Sequence, residues 1–208
     1  MQGDGLIAVQ GQGTPFFAPG TIQFRQMEQT WANWGGLFLD AGGSTGVPPA
    51  WLLAIATEET GLWSENPSDQ ASKVSGAGAI GVMQIMPATA AGFGATPDDM
   101  YDPKANIRVG AELLAKLANL RDGQLPEMAA AYNSGRVCDT GRNAWNLAMA
   151  GDYAGSVIKW NNTAVMYLDM SPRYGRTLLG LAVGGAGLYA AAVIAGLTAK
   201  PKWLKAAT

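Results

Sequence analysis

The chain has 208 residues, enough for one domain with a substantial core and terminal extensions. Charged residues make up 14%, hydrophobic types 48%, and the net charge is -2, which excludes a disordered chain and a nucleic-acid binder driven by overall charge. There is no histidine, and Cys138 is the single cysteine; this excludes Ser-His-Asp and Cys-His catalysis, imidazole metal sites and intrachain disulfides. Acid–base chemistry is left to carboxylates, lysines, tyrosines and water.

Residues 1–24 are rich in Gly, Gln and Pro and predict an extended arm, ordered only if something holds it. No basic residue precedes Arg25 and no apolar run follows the start, so no secretory signal is expected. Arg25 to Ala41 has helical periodicity, with Met27, Trp31, Trp34, Leu37 and Phe38 on one side; the glycine-rich run 42–46 is expected to break it. Pro48 and Pro49 open a second helix, which runs to about Thr60 and stops at Gly61. Residues 64–78 read as a loop. Short helices are expected at 87–92, 106–120 and 126–132, with weaker ones at 142–150 and 163–170. No strand pattern and no internal repeat appears, so the fold class is mainly α.

Residues 177–199 carry no charge, and as a helix they would span about 35 Å against a hydrocarbon core of roughly 30 Å. Arg173 and Arg176 flank one end; Lys200, Lys202, Trp203 and Lys205 flank the other, which leaves orientation open. Gly180 and Gly184 form a small-xxx-small pair suited to helix packing. A membrane-spanning helix is expected; the alternative is a hydrophobic helix buried in an assembly.

Leu52, Ile55, Ala56 and Glu59 fall at i, i+3, i+4 and i+7, one helical face. Glu59 therefore continues an apolar stripe, while Glu58 points about 100° away. A carboxyl group in an apolar pocket favours its neutral form, which suits a general acid near neutral pH. Helix position alone leaves a solvated surface glutamate as the commoner alternative.

The run Ala54-Ile-Ala-Thr-Glu-Glu-Thr-Gly61 is followed by Ser75-Gly-Ala-Gly-Ala-Ile-Gly-Val-Met-Gln-Ile-Met-Pro-Ala-Thr-Ala90. Then come Tyr101-Asp-Pro-Lys-Ala-Asn-Ile-Arg-Val-Gly110 and Met128-Ala-Ala-Ala-Tyr-Asn-Ser-Gly135. In this order the blocks resemble the lytic transglycosylase domain of the soluble-lytic-transglycosylase type, across about residues 45–170. The resemblance implies a lysozyme-like α domain over 25–170, flanked by the arm 1–24 and the basic, apolar segment 171–208. It implies that Glu59, followed by the small residue Thr60, is the sole catalytic acid/base. It implies substrate contacts for Ser75, Gln84, Met86, Tyr132 and Asn133, with Tyr132 approaching the catalytic carboxyl group. A later family tyrosine in the closing helix is matched best by Tyr167, with Tyr174 second. Met83 reads as core packing, and Asn106 as a structural cap or turn residue. The gap from Glu59 to Ser75 is several residues longer than the family's pattern, so the loop around 65–73 is expected to reshape one rim of the cleft.

One well-placed carboxyl group without a clear partner departs from the usual two-carboxylate glycosidase. The resemblance implies instead that Glu59 protonates the glycosidic oxygen between N-acetylmuramic acid and N-acetylglucosamine. It then accepts the proton of the muramyl C6 hydroxyl, giving a 1,6-anhydro product. No metal or cofactor is implied. The expected partners are peptidoglycan glycan strands, a membrane through 177–199 and neighbouring subunits of a virion or envelope machine; no nucleic-acid site is expected. The expected location is a virion acting in the bacterial envelope during genome delivery, with a membrane-anchored periplasmic enzyme as the alternative. Two other readings stay open: a hydrolase in which water attacks, and a non-catalytic structural subunit that keeps a sugar-binding domain.

Overall fold

In the computed structural model, the described residues are 6–8, 15–120, 123, 125–134 and 151–170. The expected helix at 142–150, Cys138, Tyr174 and the apolar run 177–199 lie outside them. Among the described residues no helix is long and apolar enough to cross a membrane. The fold is mainly helical.

Helix α1 spans Ile22–Thr45. The Thr21 side chain accepts from the Phe24 N–H at 3.2 Å and so satisfies one of the free donors of the first turn. Phe24, Met27, Trp31, Trp34 and Phe38 form its buried stripe at three- and four-residue spacing. The expected break at Gly42 does not occur; the helix runs through both glycines and ends at Gly46, in the left-handed region at φ 78°. Tertiary packing overrides the poor helix propensity there. A Cβ on Gly42 would stand 2.7 Å from the Val47 carbonyl oxygen, so glycine permits the chain to turn tightly back onto α1.

Helix α2, Pro49–Ala56, starts with proline in its first turn, as expected. All seven residues from Ala50 to Ala56 are buried. The helix is therefore the centre of the domain, packed between α1 and the closing helix α7, Gly151–Met170. Full burial of Leu52, Leu53 and Ile55 contributes about 1.5–3 kcal/mol each from apolar transfer.

The chain leaves α2 through a π turn at Thr57–Gly61, closed by the Leu62 N–H donating to the Thr57 carbonyl at 3.1 Å. The 64–78 segment is not all loop: α3, Pro67–Ser72, forms within it, capped by the Asn66 side chain. The buried Gln70 of α3 accepts from Trp34 Nε1 at 2.5 Å and donates to the Ser64 carbonyl at 2.7 Å, which fixes this helix to α1.

Three further helices complete the frame: α4 at Pro87–Gly92, α5 at Pro103–Leu120 and α6 at Leu125–Ser134. Asn106 of α5 is structural, but as a clamp and not as a cap. Its amide donates to the Ile80 and Met100 carbonyls at 2.8 and 3.0 Å, and its oxygen accepts from the Met83 N–H at 2.8 Å. Those bonds pin the glycine-rich segment 78–85 against α5.

In the arm, β1 (Leu6–Ala8) and β2 (Pro15–Phe17) pair antiparallel, with Leu6 opposite Phe17. Strands of three residues are too short for an alternating pattern to be read from sequence. Helix α7 holds β2: the Phe17 N–H donates to Thr163 Oγ1 at 2.9 Å, and the Phe17 and Trp160 rings lie 4.2 Å apart.

Candidate active site

Glu59 sits in the π turn that follows the buried helix α2. A π turn widens the helix locally, and such turns occur often at functional sites. Both carboxylates meet α7, at different positions along it. Tyr153 of α7 donates its hydroxyl to Glu59 Oε1 at 2.6 Å. Ser156 Oγ and Trp160 Nε1, three and seven residues further along α7, donate to Glu58 Oε2 at 2.5 and 2.7 Å.

Burial pushes the Glu59 carboxyl from its ordinary value of 4.5 up to about 7. The Tyr153 hydrogen bond and the Lys73 ammonium oppose the rise, and the charge of Glu58 adds to it. Near neutral pH this side chain is thus divided between a proton-donating and a proton-accepting form, as a residue that first gives and then takes a proton requires. The turn is fixed on both sides. Thr60 Oγ1 donates to the Val82 carbonyl at 2.9 Å, tying it to the glycine-rich segment. A Cβ on Gly61 would collide with Thr30 Oγ1 of α1, so only glycine allows this approach.

The expected substrate-contacting residues fall into two groups. Gln84, Met86, Tyr132 and Asn133 line one groove of about 410 Å³, together with residues of α4 and α5. Gln84 is held at φ 49°, and its amide donates to the carbonyls of Lys73 and Gly81 at 3.2 and 2.8 Å. Met86 is 40% exposed, which fits a groove wall and not core packing, whereas Met83 is fully buried. Ser75 is not among the groove residues; its hydroxyl accepts from the Ala79 N–H at 3.0 Å and closes the turn beside the cleft.

Tyr132 donates to the Met83 carbonyl at 2.7 Å, not to Glu59. It is near enough for the Glu59 charge, after burial, to help raise its hydroxyl well above the usual range. Tyr167 packs edge-on against Phe24 of α1, with ring centroids 5.8 Å apart, at the opposite end of α7 from Glu59. The tyrosine that reaches the acid is Tyr153. Sequence periodicity marks the closing helix only from residue 163, whereas the helix begins at Gly151 and so carries Tyr153 as well. Extended back, the pattern places Tyr153, Ser156 and Trp160 at i, i+3 and i+7 on one face.

Residues 36–148 match the family model described as the Transglycosylase SLT domain. A curated relative, "Transglycosylase" of Enterobacteria phage PRD1, is 41% identical over 85 residues, covering 41% of this chain and 29% of the phage protein. The chain therefore spans less than a third of that relative's length. Among solved structures, the 70 kDa soluble lytic transglycosylase SLT70 of Escherichia coli superposes with a TM-score of 0.53 at 20% identity, over 69% of this chain and 29% of that one. An inactive mutant of the lytic transglycosylase Slt of Pseudomonas aeruginosa gives a TM-score of 0.52 at 21% identity, over 64% and 24%. A complex of a 70 kDa soluble lytic transglycosylase with bulgecin A gives 0.56 at 22% identity, over 72% and 26%. The structures share the fold, and the family match extends over more than half of the chain, which belongs to the Transglycosylase SLT domain family.

Proposed function

We propose that the chain is a peptidoglycan lytic transglycosylase that uses Glu59 as its single acid/base. The observation that carries this reading is the Glu59 carboxyl, buried, raised to about 7 and joined to the Tyr153 hydroxyl at 2.6 Å. Protonated Glu59 donates to the oxygen of the MurNAc–GlcNAc bond, which breaks toward the leaving N-acetylglucosamine. The 2-acetamido group of the substrate and nearby dipoles stabilise the positive charge at the anomeric carbon. The Glu59 carboxylate, steadied by the Tyr153 hydroxyl, then takes the proton from the muramyl C6 hydroxyl as that oxygen bonds to the anomeric carbon. Attack from within the same sugar gains from proximity and consumes no water. Gln84, Met86, Tyr132 and Asn133 hold the glycan in the groove they line, and Ser75 shapes the turn that leads to it.

The phage relative supports a virion enzyme that opens the cell wall during genome delivery. Proteomics of purified particles tests that placement: the protein is found in them, or the placement fails. The reaction is tested on purified peptidoglycan. Wild type releases muropeptides lighter by one water than hydrolysed products, and Glu59→Gln releases none. Hydrolysed products from wild type would replace the intramolecular step with attack by water.

A further inference from the structure

The long connection between Glu59 and Ser75 ends in a cation placed at the acid. Helix α3 is fixed to α1 through Gln70, and the residue that follows it is Lys73. The Lys73 ammonium donates to the main-chain carbonyl of Glu59. It also stands 5.5 Å from the ring centroid of Trp63, a residue that is 56% exposed. The Lys73 carbonyl accepts from Gln84 of the groove. One residue thus joins the acid, an open aromatic face and the groove wall.

Resting on the reading of Glu59 as the acid/base, we propose that Lys73 is a positioning residue whose fixed positive charge sets the pH range over which Glu59 works. The Lys73 charge lowers the proton affinity of Glu59, and the Glu59 charge favours the charged lysine in return. Burial presses Lys73 the other way, toward its neutral form, so the ammonium depends on its carbonyl and aromatic partners. Among the described residues, the other groups facing Glu59 are Glu58 from the same turn, which acts against Lys73, and Tyr153 from α7, which acts with it. Tyr132 of α6 feels the Glu59 charge but spends its proton on the Met83 carbonyl. Among the described residues, Lys73 is therefore the cation that favours the carboxylate Glu59 becomes after donating its proton. Without it Glu59 remains protonated to higher pH and is a poorer donor.

The test is the pH dependence of kcat/KM on purified peptidoglycan for the full chain and for Lys73→Met, Lys73→Gln and Lys73→Arg. Both neutral variants are expected to move the alkaline limb to higher pH. The ratio of the rate at about pH 8 to that at about pH 6 then rises about twofold or more. Lys73→Arg, which keeps the charge, leaves the limb in place. Lys73→Gln keeps an N–H donor for the Glu59 carbonyl, so it removes the charge without removing the cap, and it serves even where Lys73→Met fails to fold. An unmoved limb in the folded neutral variants, with Glu59→Gln inactive, overturns the role of Lys73 and leaves Glu59 as the acid. Full activity in Glu59→Gln overturns the assignment of Glu59 itself.

Discussion

Tyr153 donates to Glu59 Oε1 across 94 residues of sequence, and this one bond couples the closing helix to the acid. It opposes burial: the buried carboxyl rises to about 7, and the hydroxyl restrains that rise. Tyr153→Phe keeps the ring and removes the donor. The alkaline limb of kcat/KM then moves to higher pH, and kcat falls about tenfold or more, because a hydrogen bond to a charged group contributes roughly 1.5–3 kcal/mol. Tyr167→Phe keeps its edge contact with Phe24 and leaves kcat within about twofold. A pH profile of the two variants checks both outcomes.

Glu59→Gln removes the proton donor and lowers kcat by about 10²–10⁴-fold, the usual scale of general acid–base catalysis. It also changes stability in a pH-dependent direction. Folded Glu59 keeps its proton up to about 7, whereas the unfolded side chain releases it near 4.5. Between those values the folded state binds more protons, so wild type loses stability as pH rises through the window, by about 3 kcal/mol in total. Below the window the two proteins melt alike; above it Glu59→Gln melts higher. Thermal melts at about pH 4 and about pH 8 measure this, and equal melting at the higher pH would contradict the burial of Glu59.

Glu58 clamps α7 through Ser156 and Trp160, both bonded to the same carboxylate oxygen. Glu58→Ala removes the shared acceptor of both bonds and lowers unfolding stability by about 2–4 kcal/mol. Glu58→Gln retains an acceptor oxygen and loses less. Urea unfolding at constant pH ranks the two.

Asn106→Leu replaces three buried hydrogen bonds with an apolar side chain and orphans the Met100 carbonyl and the Met83 N–H, while the Ile80 carbonyl keeps the Ile85 N–H. The loss is about 3 kcal/mol or more, since each orphaned buried group costs about 1–3 kcal/mol. Activity falls with it, because the clamped segment carries Gln84 into the groove. Thermal unfolding of this variant is expected to show the largest decrease of the set.

Much of this arrangement was legible in the residues, where spacing and side-chain type act locally. The α1 stripe, the proline that opens α2 and the glycine-rich block before α4 follow from periodicity and backbone preference. Glu59 was marked by its place on an apolar helical stripe and by the motif around it. The helix through Gly42 was not legible, because a close approach by Val47 and Pro49 decides it. Nor was the clamp of Asn106, whose three partners come from two other segments.

The sequence by itself determined a mainly helical chain and marked Glu59, Gln84, Met86, Tyr132 and Asn133 as candidates for the site. Only the tertiary structure decided which tyrosine meets that acid, where Glu58 points and what Lys73 touches. The reason is range. Helix periodicity and motif order act over a few neighbouring residues, whereas the π turn, α3 and α7 bring together groups far apart in the chain through packing that no local pattern encodes.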